Sequence, residues 1–224
     1  MKIWRCLLVL ASFIPATWAG PIIFDTLGPL NLVAPGPGLT VGAGILRGDP
    51  VGHQGATYAE AFPPPPPGMA LGSIDLFVQY LDIPGLATGP ANLDVSIAAD
   101  GINQPGAILE TIHLTNIFNS VPFASGVITA NSVLHPLLSG PAPYWLIVAP
   151  PDLLNTAFDW KISAAPLTIP LASRLGADPW STSPNQALAF RITAADVPEP
   201  ASWFLAAAGL LLLIAGSRRI GYRV

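Results

Sequence analysis

Residues Gly20 to Asp196 predict an all-β fold, a β-sandwich of jelly-roll type, on three observations. Apolar and polar residues alternate in many short runs. Gly, Pro, Asn and Asp separate those runs, the spacing expected of all-β sandwiches and barrels. No stretch of a dozen residues keeps a 3.6-residue apolar period without a Gly or Pro interrupting it, so helices lack support. With 51% apolar residues the chain can fill a core, and its 21 glycines and 26 prolines supply the turns.

The strands follow in chain order. Gly28 to Gly55 is irregular, with one short strand expected around Leu39 to Ile45. Thr57 to Phe62 is a strand that Pro63 to Pro67 must end, because five prolines donate nothing to a ladder and favour a polyproline II connection. Ile74, Leu76, Val78 and Tyr80 then line one face of a longer strand, with Ser73, Asp75 and Gln79 opposite. Leu93, Val95 and Ile97 alternate with Asn92, Asp94 and Ser96. Ile108 to Leu114 and Val127 to Val133 are further candidates, and His113 is placed on the face of Leu109 and Thr111. Tyr144 to Ala149 is continuously apolar, the pattern of a central strand covered on both faces. Phe158, Trp160 and Ile162 alternate with Asp159, Lys161 and Ser163. Leu188, Phe190 and Ile192 alternate with Ala189, Arg191 and Thr193. Leu167 to Pro184 reads as a long loop. The expectation is at least eight strands in two packed sheets, with both aromatic-bearing triplets buried between them.

Charge excludes one class of partner. Between Gly20 and Asp196 the basic residues are Arg47, Lys161, Arg174 and Arg191 against twelve carboxylates, a net charge of −8. Phosphate backbones need clustered Lys and Arg, so nucleic acid is not expected as a partner. Anionic lipid headgroups would likewise repel such a domain.

Both ends read as addresses. Lys2 and Arg5 precede an apolar segment from Cys6 to Ile14, and Thr17-Trp18-Ala19 supplies the small residues of a signal-peptidase site. Residues 1–19 are therefore expected to be a signal peptide handled by the Sec export machinery and cut between Ala19 and Gly20. Removal takes the only cysteine with it, so the exported domain has no disulfide or thiolate. At the other end, residues 197–224 run Val197-Pro198-Glu199-Pro200, an uncharged apolar stretch from Ala201 to Gly216, and a basic end with Arg218, Arg219 and Arg223. As a single transmembrane helix the stretch spans about 24 Å, short of a hydrocarbon core of roughly 30 Å. The arginines would hold its far end in the cytoplasm. Such a span suits a tail held in the membrane and then removed.

This order resembles the PEP-CTERM sorting signal of Gram-negative bacteria, carried by Pro198-Glu199-Pro200, Ala206-Ala207-Ala208-Gly209-Leu210 within the span, and the terminal arginines. The resemblance implies recognition by a membrane-embedded processing enzyme, exosortase. The precursor would be held in the inner membrane, cut near Pro198-Glu199-Pro200, and delivered to the cell surface or extracellular matrix. The domain in between is similar to the "choice-of-anchor" family of bacterial surface proteins. That likeness rests on Phe24-Asp25-Thr26-Leu27, Tyr58-Ala59-Glu60-Ala61-Phe62, Val95 to Asp100 leading to Pro105-Gly106, and Tyr144-Trp145-Leu146-Ile147-Val148. It implies a β-sandwich ectodomain on an interchangeable anchor, and assigns no catalytic residue.

Motif-borne chemistry is missing: there is no G-x-S-x-G, H-E-x-x-H or C-x-x-C. The glycine pairs Gly36/Gly38 and Gly42/Gly44 miss dinucleotide-binding spacing. His53, His113 and His135 have no second ligand at i+2 or i+4, so no metal or other cofactor is expected, although Asp100-Gly101-Ile102-Asn103 could offer oxygens to Ca²⁺. A glycosidase needs only two carboxylates, and Asp75, Asp82, Asp94, Asp100, Asp152 and Asp159 are the candidates. Asp82, Asp100 and Asp152 sit where Asp favours turns, and Asp94 and Asp159 alternate outward. The leading expectation is a non-enzymatic surface or matrix protein that binds exopolysaccharide, with Trp180 and Asn185 as candidate carbohydrate contacts and Trp145 and Trp160 in the core. The alternative is an extracellular hydrolase acting on polysaccharide through a carboxylate pair.

Overall fold

The period-two runs form strands wherever one of their faces can be buried. The computed structural model describes residues 20–36, 38–42, 55–82, 89–152 and 155–195. The expected signal peptide, residues 1–19, His53, and the whole tail with its Pro-Glu-Pro mark, apolar stretch and arginines lie outside the described residues. Apart from a 3-10 turn at Ile117–Ser120, the regular elements described are twelve strands. They are β1 (Ile22–Asp25), β2 (Leu39–Gly42), β3 (Ala56–Phe62), β4 (Leu71–Leu81), β5 (Leu93–Asp100), β6 (Pro105–Leu114), β7 (Ser125–Asn131), β8 (Tyr144–Ala149), β9 (Ala157–Trp160), β10 (Thr168–Leu175), β11 (Ser181–Gln186) and β12 (Phe190–Ala194). The all-β class is what the alternation predicts.

The strands form two antiparallel ladders. One runs β11-β10-β3-β8-β5-β6. The other is built on the eleven residues of β4. Strand β7 lies along one edge of β4, while β12 pairs with Leu71 to Leu76 and β9 with Val78 to Leu81 on the other. The handover falls at Phe77, whose N–H bonds the Ala189 carbonyl and whose carbonyl accepts the Lys161 N–H. Strands β1 and β2 extend this ladder through β12 and β9. A single pair, Gly42 with Ala56, joins the two ladders, so the hydrogen bonding forms one curled twelve-stranded sheet and not two separate ones.

Both halves turn their apolar faces to one core. Leu71, Ile74, Leu76, Val78 and Tyr80 of β4, Phe158 and Trp160 of β9, and Phe190 and Ile192 of β12 meet Phe62 of β3, Val95 and Ile97 of β5, and Tyr144, Leu146 and Val148 of β8. Phe62 and Phe190, one from each ladder, meet edge to face with ring centroids 6.5 Å apart, a favoured arrangement for aromatic pairs. The alternating triplets are buried as expected, with Ile162 partly covered at the margin. Strand β8 is covered on both faces: Trp145 and Ile147 point away from the main core into a second cluster with Ala59, Ala61, Ala98 and Ala172.

Three expectations need correction. Residues Leu167 to Pro184 are not a loop but most of a hairpin, β10 with β11, added to the edge of β3. Its prolines face each other as the pair Pro170–Pro184, beyond the stretch from Leu171 to Leu175 that bonds β3. An outer strand tolerates prolines and a wholly polar sequence because it has no core face to fill. Asp159 does not point to water: it is buried and bonded to Thr40 and Lys161. His113 does not share the face of Leu109. The β5–β6 register slips between Ile97–Glu110 and Ala98–Ile108, so a bulge at Leu109 leaves Leu109 against the core while His113 faces solvent. Bulges re-aim side chains in this way.

Candidate functional site

Trp180 immediately precedes β11, where the pairing of Ser173 with Ser181 brings it beside Arg174 of β10. The Arg174 guanidinium carbon lies 4.5 Å from the Trp180 ring centroid, a cation–π contact. The ring also packs against the second apolar cluster. Trp180 is therefore half-buried, folded onto the outer face of the sheet. Asn185 is not beside it. Five residues of extended chain separate the two by about 17 Å at about 3.4 Å per residue, and an odd offset puts them on opposite faces. The Asn185 Oδ1 accepts the Gln186 N–H at 2.9 Å. What joins them is β11 itself, whose Ser181, Thr182, Ser183 and Gln186 are exposed and uncharged.

Of the candidate carboxylates, Asp75, Asp94, Asp100 and Asp152 bond local partners, as Asp159 does. Asp75 accepts the Thr129 hydroxyl at 2.7 Å. Asp94 meets His113 Nδ1 at 2.7 Å across β5 and β6. Asp100 closes its hairpin by accepting the Ile102 and Asn103 N–H groups on one oxygen, and takes the Trp145 indole N–H at 2.9 Å on the other. That turn-type use engages both of its oxygens. Asp152 binds Asn155 through both the backbone and the side-chain amide. Asp25 and Asp75 approach the same place because each faces Arg191 across the register of β1, β12 and β4. The guanidinium stands between them, 3.2 Å from Asp25 and 3.9 Å from Asp75. Among the described residues no group of three His, Cys, Asp or Glu is arranged to hold a metal ion.

Two buried acids were not among the candidate carboxylates. Glu60 of β3 faces the main core and is 1% exposed. One carboxyl oxygen accepts the Leu188 N–H at 2.7 Å, and Oε1 has no hydrogen-bond partner. Burial pushes its pKa well above the usual carboxylate range, opposed only in part by the Leu188 N–H. Glu110, which shares the inward face of Ile112 and Leu114 in the β5–β6 register, grips the loop after β7. Its oxygens accept the Ser132 hydroxyl at 2.6 Å, the Val133 N–H at 2.7 Å and the Leu134 N–H at 3.0 Å. Burial raises its pKa, but the Ser132 hydroxyl, those two N–H groups and nearby His135 reverse the effect and hold it below its ordinary value. The clamp's partners lie more than twenty residues away in a loop placed by the fold, so nothing in the chain announced it.

The polypeptide leaves the domain at a defined point. Ala194 N–H bonds the Pro21 carbonyl and Ala195 N–H bonds the Ala70 carbonyl. The first described residue, Gly20, packs so closely on Ala194 that any side chain there would strike the Ala194 carbonyl. The expected signal-peptidase product thus begins beside the point where the tail departs. Pro198 lies three residues past Ala195, a reach of about 10 Å at most.

An all-β domain bearing a short C-terminal address is the class these features define. A family model, the PEP-CTERM protein-sorting motif, matches residues 196–219. The motif identifies an exosortase-sorted, exported protein, whose precursor is anchored in a membrane and then passed to the surface. No curated protein and no solved structure matches the chain.

Proposed function

We propose that the chain is a non-enzymatic component of the cell surface or extracellular matrix of a Gram-negative bacterium, with a β-sandwich ectodomain of the choice-of-anchor kind that binds exopolysaccharide. The sorting motif at 196–219 carries the reading, since it directs the domain to the place where such polymer accumulates. The two ladders around a shared core support the sandwich. The exposed hydroxyl and amide groups of β11, beside the half-buried ring of Trp180, form an uncharged surface able to exchange water hydrogen bonds for those of a sugar. The hydrolase alternative needs two carboxylates across a groove, and the pair that approaches, Asp25 and Asp75, has a guanidinium between its members.

Affinity electrophoresis of the surface-released protein through gels containing the producing strain's purified exopolysaccharide tests the binding. Retardation that Trp180→Ala and Thr182→Ala weaken supports the proposal. Unchanged mobility, or breakdown of the polymer to shorter chains, refutes it.

A further inference from the structure

The loop between β7 and β8 carries Val133, Leu134 and Leu137, which are 80%, 69% and 65% exposed. Large apolar side chains so close together on a surface call for a partner. Nor is the loop loose. Glu110 holds its first turn through Ser132, Val133 and Leu134, and Ser132 Oγ accepts the His135 N–H. His135 Nδ1 meets the Leu71 carbonyl at 2.9 Å, Leu71 N–H bonds the Pro136 carbonyl, and Leu138 N–H bonds the Met69 carbonyl. A clamped loop presents its apolar tip without a large ordering cost on binding.

Its position relative to the tail identifies the occupant. Leu137 pairs with Ala70, and the Ala70 carbonyl takes the N–H of Ala195, the last described residue before the sorting motif. The loop root is thus two strand spacings, about 10 Å, from the chain's exit. Six residue steps, about 20 Å at full extension, separate Ala195 from the start of the apolar span at Ala201. This end of the domain must therefore stay close to any bilayer that holds the span. The strand ends grouped here, residues 20–22, 68–72, 131–137 and 193–195, contain no Asp, Glu, Lys or Arg. The nearest carboxylates are Glu110, whose oxygens are taken up by Ser132 and the Val133 and Leu134 N–H groups beneath the loop, and Asp196 at the start of the tail, so the tip itself presents only uncharged side chains.

We propose that Val133, Leu134 and Leu137 insert into the interfacial region of the bilayer that anchors the precursor, fixing the domain's height and tilt and holding the Pro198-Glu199-Pro200 mark at the membrane surface where a membrane-embedded enzyme can reach it. The inference rests on the tail being a membrane anchor. Apolar side chains gain from burial at the headgroup boundary, and this gain is intramolecular once the tail is in place. After cleavage the contact loses that advantage and the domain is free to leave.

The test uses the tail-bearing chain in vesicles of phosphatidylethanolamine and phosphatidylglycerol. A bimane label is placed on Leu134→Cys or, as a control, on Phe123→Cys in a Cys6→Ser background. Phe123 adjoins Gln79, toward the opposite end of β4. Flotation reports the anchor and quenching by brominated lipid reports the loop. The expected result is that both proteins float, that the label at 134 is quenched and blue-shifted, and that the label at 123 is neither. Adding Val133→Asp and Leu137→Asp should remove quenching at 134 without preventing flotation. A floating protein whose two labels respond alike, or whose label at 134 is protected only by self-association at high protein density, overturns the docking proposal. A protein that does not float overturns the anchor reading beneath it.

Discussion

Replacing Glu60 by Gln should abolish a specific pH dependence of stability. The carboxyl lies in the main core opposite Leu171 of β10 and Leu146 of β8, with one oxygen on the Leu188 N–H and the other unpartnered. Burial raises its folded-state pKa far above that of the unfolded chain, where a Glu titrates near 4.3. Between those two values the unfolded chain has lost the proton and the native protein has kept it. Stability is thus fully present below the unfolded pKa, falls as pH rises by about 1.4 kcal/mol per pH unit for one proton, and levels off above the folded pKa. Gln keeps an acceptor for Leu188 and cannot ionise. Denaturant unfolding of the surface-released form, followed by tryptophan fluorescence from about pH 4 to about pH 9, measures the difference. Near the acid end the two proteins should be alike. Above it the variant should gain on the wild type with the slope of about 1.4 kcal/mol per unit. A difference that is constant across the range would show that Glu60 is not held neutral in the fold. Glu60→Ala should cost about 1–3 kcal/mol at the acid end for the orphaned Leu188 N–H, before any cavity term, and, being unable to ionise, should show the same relative gain on the wild type as pH rises.

Glu110 carries the opposite sign. Its lowered pKa contributes stability above the unfolded pKa that is lost as pH falls through the folded one. Glu110→Ala should cost at least about 3 kcal/mol, since it removes three charged hydrogen bonds worth about 1.5–3 each, and hydrogen exchange should quicken at Val133 and Leu134 first. Trp160→Ala removes a fully buried ring that meets Phe190 at 6.0 Å and donates to the Ala189 carbonyl. A loss of about 3–5 kcal/mol is expected in equilibrium unfolding.

What alternation reveals is which face of a strand is buried, and the chain was readable wherever that held. Ile74 to Tyr80, Phe158 to Ile162 and Leu188 to Ile192 have one apolar face each, and the continuous run of β8 correctly signals two covered faces. Strand β11, Ser181–Gln186, has no apolar face because nothing covers it, so its pairing leaves no pattern. Glu60 and Asp159 break the rule in the other direction: a carboxyl can be buried when a neutral form or a nearby Lys161 and Thr40 meet its needs. Trp180 was legible as an aromatic in polar company, but its contact with Arg174 depends on the hairpin register. The sorting signal required no fold to be recognised, because its parts are contiguous in the chain.

The most direct test concerns the new C-terminus. In a host with exosortase, mass spectrometry of protein extracted from the surface should find chains ending near Pro198-Glu199-Pro200, with no peptide from Trp203 to Val224. Replacing all three residues of the mark should leave an uncut precursor anchored in the membrane. Surface protein dominated by intact C-terminal peptides running through Arg223 would contradict sorting by cleavage and make the tail a permanent anchor.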